Sequence, residues 1–105
     1  MKIFIENPAG TTLKREFNEK NNQWVNVGRF AVPYPFPYGF IPSTLQKDGD
    51  PLDAFLLTDQ VALCKRGQTL EVEVLGLAKF YEDEKRDYKV LVRKVGGVRP
   101  SWARN

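Results

Sequence analysis

Leu70-Glu71-Val72-Glu73-Val74 alternates apolar and acidic residues without a break, and apolar residues recur through Leu75 towards Phe80. A strand turns successive side chains to opposite faces, so this period of two places Leu70, Val72 and Val74 on one face and Glu71 and Glu73 on the other. The stretch predicts a long, half-buried strand. Beyond it, Glu82 to Asp87 is rich in charge and Tyr88 to Val95 returns to β-favouring residues, so the charged residues read as a hairpin connection. Upstream, Ile3 and Ile5 alternate with polar neighbours, and Trp24, Val25, Val27, Phe30 and Val32 form a β-rich run. Ala54 to Thr58 is a further short apolar segment, and no segment carries a convincing helical period.

Five or six short strands in 105 residues favour a closed barrel over an open sheet, because closure removes exposed edges. The expectation is a mainly β fold, a small closed OB-like β-barrel with little helix, formed by residues 1–105 as a single compact domain. No repeat, low-complexity segment or linker divides the chain. The run Val32-Pro33-Tyr34-Pro35-Phe36-Pro37-Tyr38-Gly39-Phe40-Ile41-Pro42 lacks a backbone donor at every proline and is therefore expected as an ordered loop or edge. Residues Gly96 to Asn105 show no interpretable pattern.

Composition narrows the chemistry. No apolar run approaches the roughly 18 to 20 residues of a membrane helix, and the start Met1-Lys2-Ile3-Phe4-Ile5-Glu6 meets a carboxylate too early for a secretory signal, so a cytoplasmic location without membrane association is expected. Cys64 is the single cysteine and has no partner for a disulfide or a zinc site. The chain contains no histidine, which removes the usual general base and every Ser-His or Cys-His pair. Catalysis must come from carboxylates, amines, guanidinium groups, phenols or a metal. A formal charge of +3, from 16 basic and 13 acidic residues, suits an anionic ligand but is too mild to indicate nucleic acid. Carboxylates beside the central aromatic residues would also repel a nucleic-acid backbone.

Asp48-Gly49-Asp50-Pro51-Leu52-Asp53 concentrates three carboxylates around a turn. Ionised carboxylates brought together repel, and a hard divalent ion such as magnesium would resolve the conflict. By itself the tetrapeptide Asp-Gly-Asp-Pro reads first as a plain turn, and the spacing does not fit a calcium-binding EF-hand loop. Glu82, Asp83, Glu84 and Asp87 form a second acidic group that reads alone as a solvated hairpin tip. Tyr34 and Tyr38 would be packing residues by default, and Lys14, Glu16 and Arg29 surface residues of early strands.

Together, Tyr34-Pro35-Phe36-Pro37-Tyr38-Gly39-Phe40-Ile41-Pro42, the step from Tyr38 to Asp48, and Asp48-Gly49-Asp50-Pro51-Leu52-Asp53 resemble the family I soluble inorganic pyrophosphatases. The resemblance runs from about Glu6 to Lys89. It implies an OB-like barrel and magnesium-dependent hydrolysis of pyrophosphate to two phosphates. Asp48, Asp53 and Asp87 match the family's principal metal ligands, and Asp50 matches the carboxylate beside the attacking water. Glu82 stands where the family carries an aspartate for a further metal, with Asp83 adjacent, and Glu6 resembles its first active-site glutamate. Lys14, Arg29, Tyr38 and Lys89 match positions that hold phosphate oxygens, while Glu16 and Tyr34 match supporting residues. The match at Lys14 requires a one-residue gap after Glu6, and that at Arg29 a shorter loop before Tyr34. The family continues past the end of this chain into a segment carrying a phosphate-contacting Tyr-Lys pair and much of the subunit interface. The resemblance is therefore compatible with a homo-oligomer without implying one. Two other readings remain open from sequence: hydrolysis of another phosphoanhydride such as a nucleotide, and a non-catalytic OB-like binding module.

Overall fold

The computed structural model describes residues 1–30, 33–44, 51–82 and 85–96, giving the backbone alone at 63, 80–82 and 85–87. Seven strands follow in order: β1 (Lys2–Asn7), β2 (Leu13–Asn18), β3 (Gln23–Arg29), β4 (Tyr38–Ile41), β5 (Leu52–Leu56), β6 (Thr69–Glu82) and β7 (Lys85–Lys94). A single 3-10 turn, Val61–Leu63, is the helical content among the described residues. β1, β4, β5, β7 and β6 join edge to edge in that order, and β6 pairs back onto β1 to close a barrel. All pairs are antiparallel except β5 with β7. This is the small closed barrel that the strand pattern predicts.

Closure follows from where the apolar residues fall. Ile3 and Ile5 of β1, Ile41 of β4, Ala54 and Leu56 of β5, Val72 of β6, and Val90 and Val92 of β7 meet in one buried cluster with Cys64. Full burial of each Ile or Leu contributes about 1.5 to 3 kcal/mol, so the alternating positions of five strands hold the barrel shut. β2 and β3 form a separate two-stranded sheet outside the barrel. It is fastened by an aromatic cluster: Phe4 on β1 lies 4.8 Å from Phe17 and 5.6 Å from Trp24, ring centre to ring centre.

Three local expectations need correction. The proline-rich run is not wholly loop or edge, because Tyr38–Ile41 is a fully buried strand between β1 and β5. Prolines bracket this tetrapeptide without entering it, so its ladder donors are intact. The charged stretch is not all connection either: β6 and β7 continue to the pair Glu82 with Lys85. Acidic and basic residues at facing positions are compatible with an antiparallel ladder. Lastly, Val74 is 52% exposed, because the β6–β7 register shifts between Val74 and Gly76 and the alternation from Leu70 is interrupted there.

Candidate active site

Four neighbouring barrel strands supply the floor of a cavity of about 750 Å³. Ala54 pairs with Val90 in the parallel β5–β7 ladder, so the preceding residues, Asp53 and Lys89, stand side by side. The Lys89 ammonium lies 3.6 Å from Asp53 Oδ2 and donates to the Tyr38 phenol oxygen at 3.1 Å. Lys89 is only 5% exposed, so its charge acts where solvent screens it weakly. Tyr38 comes from β4, and Tyr34 packs on it with ring centres 5.6 Å apart. Burial pushes the Tyr38 phenol well above its ordinary range, with the Asp53 carboxylate and its hydrogen bond adding to the effect. Tyr38 therefore stays a neutral hydroxyl able to donate and accept.

Glu6 reaches the same cavity through an irregularity in β1. Ile5 pairs with Gly39 and Asn7 with Tyr38, so Glu6 is an extra residue in the β1–β4 ladder. Such a bulge redirects a side chain, and here Ile5, Glu6 and Asn7 are all buried in succession. Glu6 Oε2 accepts the Phe17 N–H at 2.7 Å. Burial pushes the Glu6 carboxyl up to about 7; the Phe17 N–H opposes the shift, while the carboxylates of Asp53 and Glu16 add to it and Lys14 opposes it. The outer wall is the β2–β3 hairpin, from which Lys14 and Glu16 also line the cavity. Lys14 Nζ lies 5.7 Å from the centre of the Phe30 ring.

One cavity thus gathers Glu6, Lys14, Glu16, Tyr34, Tyr38, Asp53 and Lys89. Arg29 stands apart: it ends β3, opposite Leu13, is exposed and does not line the cavity. Asp48, Asp50 and Asp83 lie outside the described residues, as do the side chains of Glu82 and Asp87. Sequence reasoning missed Thr44, whose hydroxyl donates to the Ile41 carbonyl at 2.6 Å and accepts the Leu52 N–H at 2.9 Å at the cavity edge. It also missed Asn7 and Arg66, which act largely on backbone groups and so leave no motif.

The described carboxylates fit a divalent cation by their chemistry. They offer oxygen donors only, and the upward push that Asp53 and Glu16 exert on Glu6 is the mutual repulsion a hard cation relieves. Among the described residues, no group of three ligating side chains could hold an ion alone. Glu6 and Asp53 are thus a partial donor set.

A sequence model of the inorganic pyrophosphatase family matches residues 3–104. Among curated relatives, the inorganic pyrophosphatase of Saccharolobus solfataricus is 35% identical over 104 residues, covering 96% of this chain and 59% of the relative. The chain therefore spans less than two thirds of that relative's length. Among solved structures, the inorganic pyrophosphatase of Coxiella burnetii superposes with a TM-score of 0.80 at 35% identity, covering 90% of this chain and 57% of that one. The Thermus thermophilus inorganic pyrophosphatase gives a TM-score of 0.80 at 33% identity, covering 92% and 56%. With the family match running over nearly the whole sequence and the barrel shared, the chain belongs to the inorganic pyrophosphatase family.

Proposed function

We propose that the protein hydrolyses inorganic pyrophosphate to two phosphates with magnesium as its cation. The observation that carries this reading is the cluster of buried Lys89 and Tyr38 with half-buried Asp53 on the floor of a cavity that also holds Glu6 and Lys14. Pyrophosphate repels a nucleophile through its own charge, so cationic groups must neutralise it first. Lys14 and Lys89 supply two of these charges, and the neutral Tyr38 hydroxyl donates to a phosphate oxygen. Arg29, which the family resemblance pairs with a phosphate oxygen, stands outside the cavity at the end of β3 and takes no part in this reading. Asp53, Asp48 and Asp87, with Glu6, Glu82 and Asp83, would hold the magnesium ions. When bound, magnesium neutralises phosphate charge and acidifies water, which supplies the chemistry that a histidine would otherwise provide.

Asp50 orients the attacking water and accepts its proton. The water oxygen forms a bond to one phosphorus while the bond from that phosphorus to the bridging oxygen breaks, releasing two phosphates. Glu16 and Tyr34 support the wall and floor. The working location is the cytoplasm.

The cavity of about 750 Å³ also admits a bulkier phosphoanhydride such as a nucleotide, which is the second reading. Phosphate release with magnesium from a panel of pyrophosphate and nucleoside triphosphates separates the two. Faster turnover of pyrophosphate than of every nucleotide is expected; the opposite order would transfer the assignment to the nucleotide.

A further inference from the structure

Lys14 and Glu16 stand on a hairpin that belongs to a different sheet from the floor they face. Among the described residues no β-ladder joins β2 to β1, so the distance between wall and floor is left to the aromatic cluster around Phe4 and to polar contacts. The polar contacts of β2 are specific. Fully buried Asn7 donates through Nδ2 to the Arg15 carbonyl at 2.9 Å and accepts the Arg15 N–H at 2.9 Å, imitating a strand partner. Glu6 accepts the Phe17 N–H. One further side chain spans the junction. Arg66 donates through Nη1 to the Glu6 carbonyl at 2.6 Å and to Asn7 Oδ1 at 3.0 Å, and through Nη2 to the Leu13 carbonyl at 3.4 Å and Thr11 Oγ1 at 3.5 Å. The adjacent Gly67 N–H donates to the Ile5 carbonyl at 2.7 Å, so the base of the Arg66 side chain is itself tied to β1.

We infer that Arg66 is a positioning residue that locks the β2–β3 hairpin to the barrel and thereby sets Lys14 over the site floor. Held backbone groups at Leu13, Arg15 and Phe17 flank Lys14 and Glu16, the charged β2 residues that line the cavity. The planar fork of a guanidinium can serve β1 and β2 at once, whereas an ammonium on a flexible stem acts as a point charge. Among the described residues the bonds of Arg66 run to carbonyls, an amide oxygen and a hydroxyl, and to no carboxylate. It acts through Lys14, and this inference rests on the hydrolysis proposed above.

The test pairs kinetics with amide hydrogen exchange in Arg66→Ala and Arg66→Lys. Arg66→Ala is expected to raise KM for magnesium pyrophosphate roughly tenfold, the effect of about 1.4 kcal/mol of lost positioning, and to change kcat less. Arg66→Lys should recover part of the loss. In both variants the Arg15 and Phe17 amides should exchange faster while the barrel amides of Ala54 and Leu56 keep their protection. An unchanged KM, or exchange that rises equally in barrel and hairpin, overturns the inference. Arg66→Lys keeps the stem and charge and serves if the alanine variant does not fold. Should the wild type release no phosphate from pyrophosphate, the proposed function falls, and exchange at Arg15 and Phe17 alone decides whether Arg66 locks the hairpin.

Discussion

Glu6 shows how a single carboxyl links stability to function. Its native pKa near 7 exceeds the ordinary 4.5 because burial penalises the charged form. The folded state therefore binds the proton more tightly than the unfolded chain, and stability must fall as pH rises from about 4.5 through 7. In chelator, the melting temperature should decline across that window, by an amount corresponding to at most about 3 kcal/mol. Glu6→Gln keeps an acceptor for the Phe17 N–H and should flatten the decline. A melting profile with the same slope in both proteins would contradict this account of Glu6. Lys89 gives the complementary case, since its ammonium serves Asp53 and Tyr38 together. Lys89→Met should lower kcat/KM for pyrophosphate roughly 100-fold in a steady-state assay, the scale of losing one preorganised donor. These side chains were legible as candidates because carboxylates, lysines and tyrosines are chemically conspicuous. Asn7 and Arg66 were not, because most of their bonds go to backbone groups that any sequence supplies.

At the scale of elements, β4 was the least legible and is among the most exacting. Its prolines suggested a loop, yet Tyr38–Ile41 fits between β1 and β5 with all four residues buried. Gly39 permits this fit, since a Cβ there would collide with the Phe4 backbone carbonyl. Backbone cannot swing aside as a flexible side chain does, so Gly39→Ala should lower the urea unfolding midpoint by the equivalent of about 3 kcal/mol. A midpoint equal to wild type would show that β1 and β4 separate easily. The strands β1, β6 and β7 were readable because alternation reports a half-buried face directly. What alternation could not report is where it slips: at Glu6, where the slip aims a carboxylate into the cavity, and after Val74, where it leaves an apolar side chain in water. Both depend on the neighbouring strand's register, which is a tertiary property.

For the whole molecule, barrel closure brings residues distant in sequence to one floor: Glu6, Tyr38, Asp53 and Lys89 arrive on β1, β4, β5 and β7. No helix among the described residues is long and apolar enough to cross a membrane. The hairpin adds Lys14 and Glu16 from outside the barrel, so the site exists only where two sheets meet. This convergence was foreseeable only as what the family resemblance implies, while the separate sheet and its polar fastening were not. The central claim is that these groups cleave pyrophosphate with magnesium. Its most direct test is phosphate release from pyrophosphate by the wild type and by Asp53→Asn, with and without magnesium. The account predicts magnesium-dependent release by the wild type that falls at least roughly 100-fold in Asp53→Asn; release equal in the two proteins, or none from the wild type at any magnesium concentration, would contradict it.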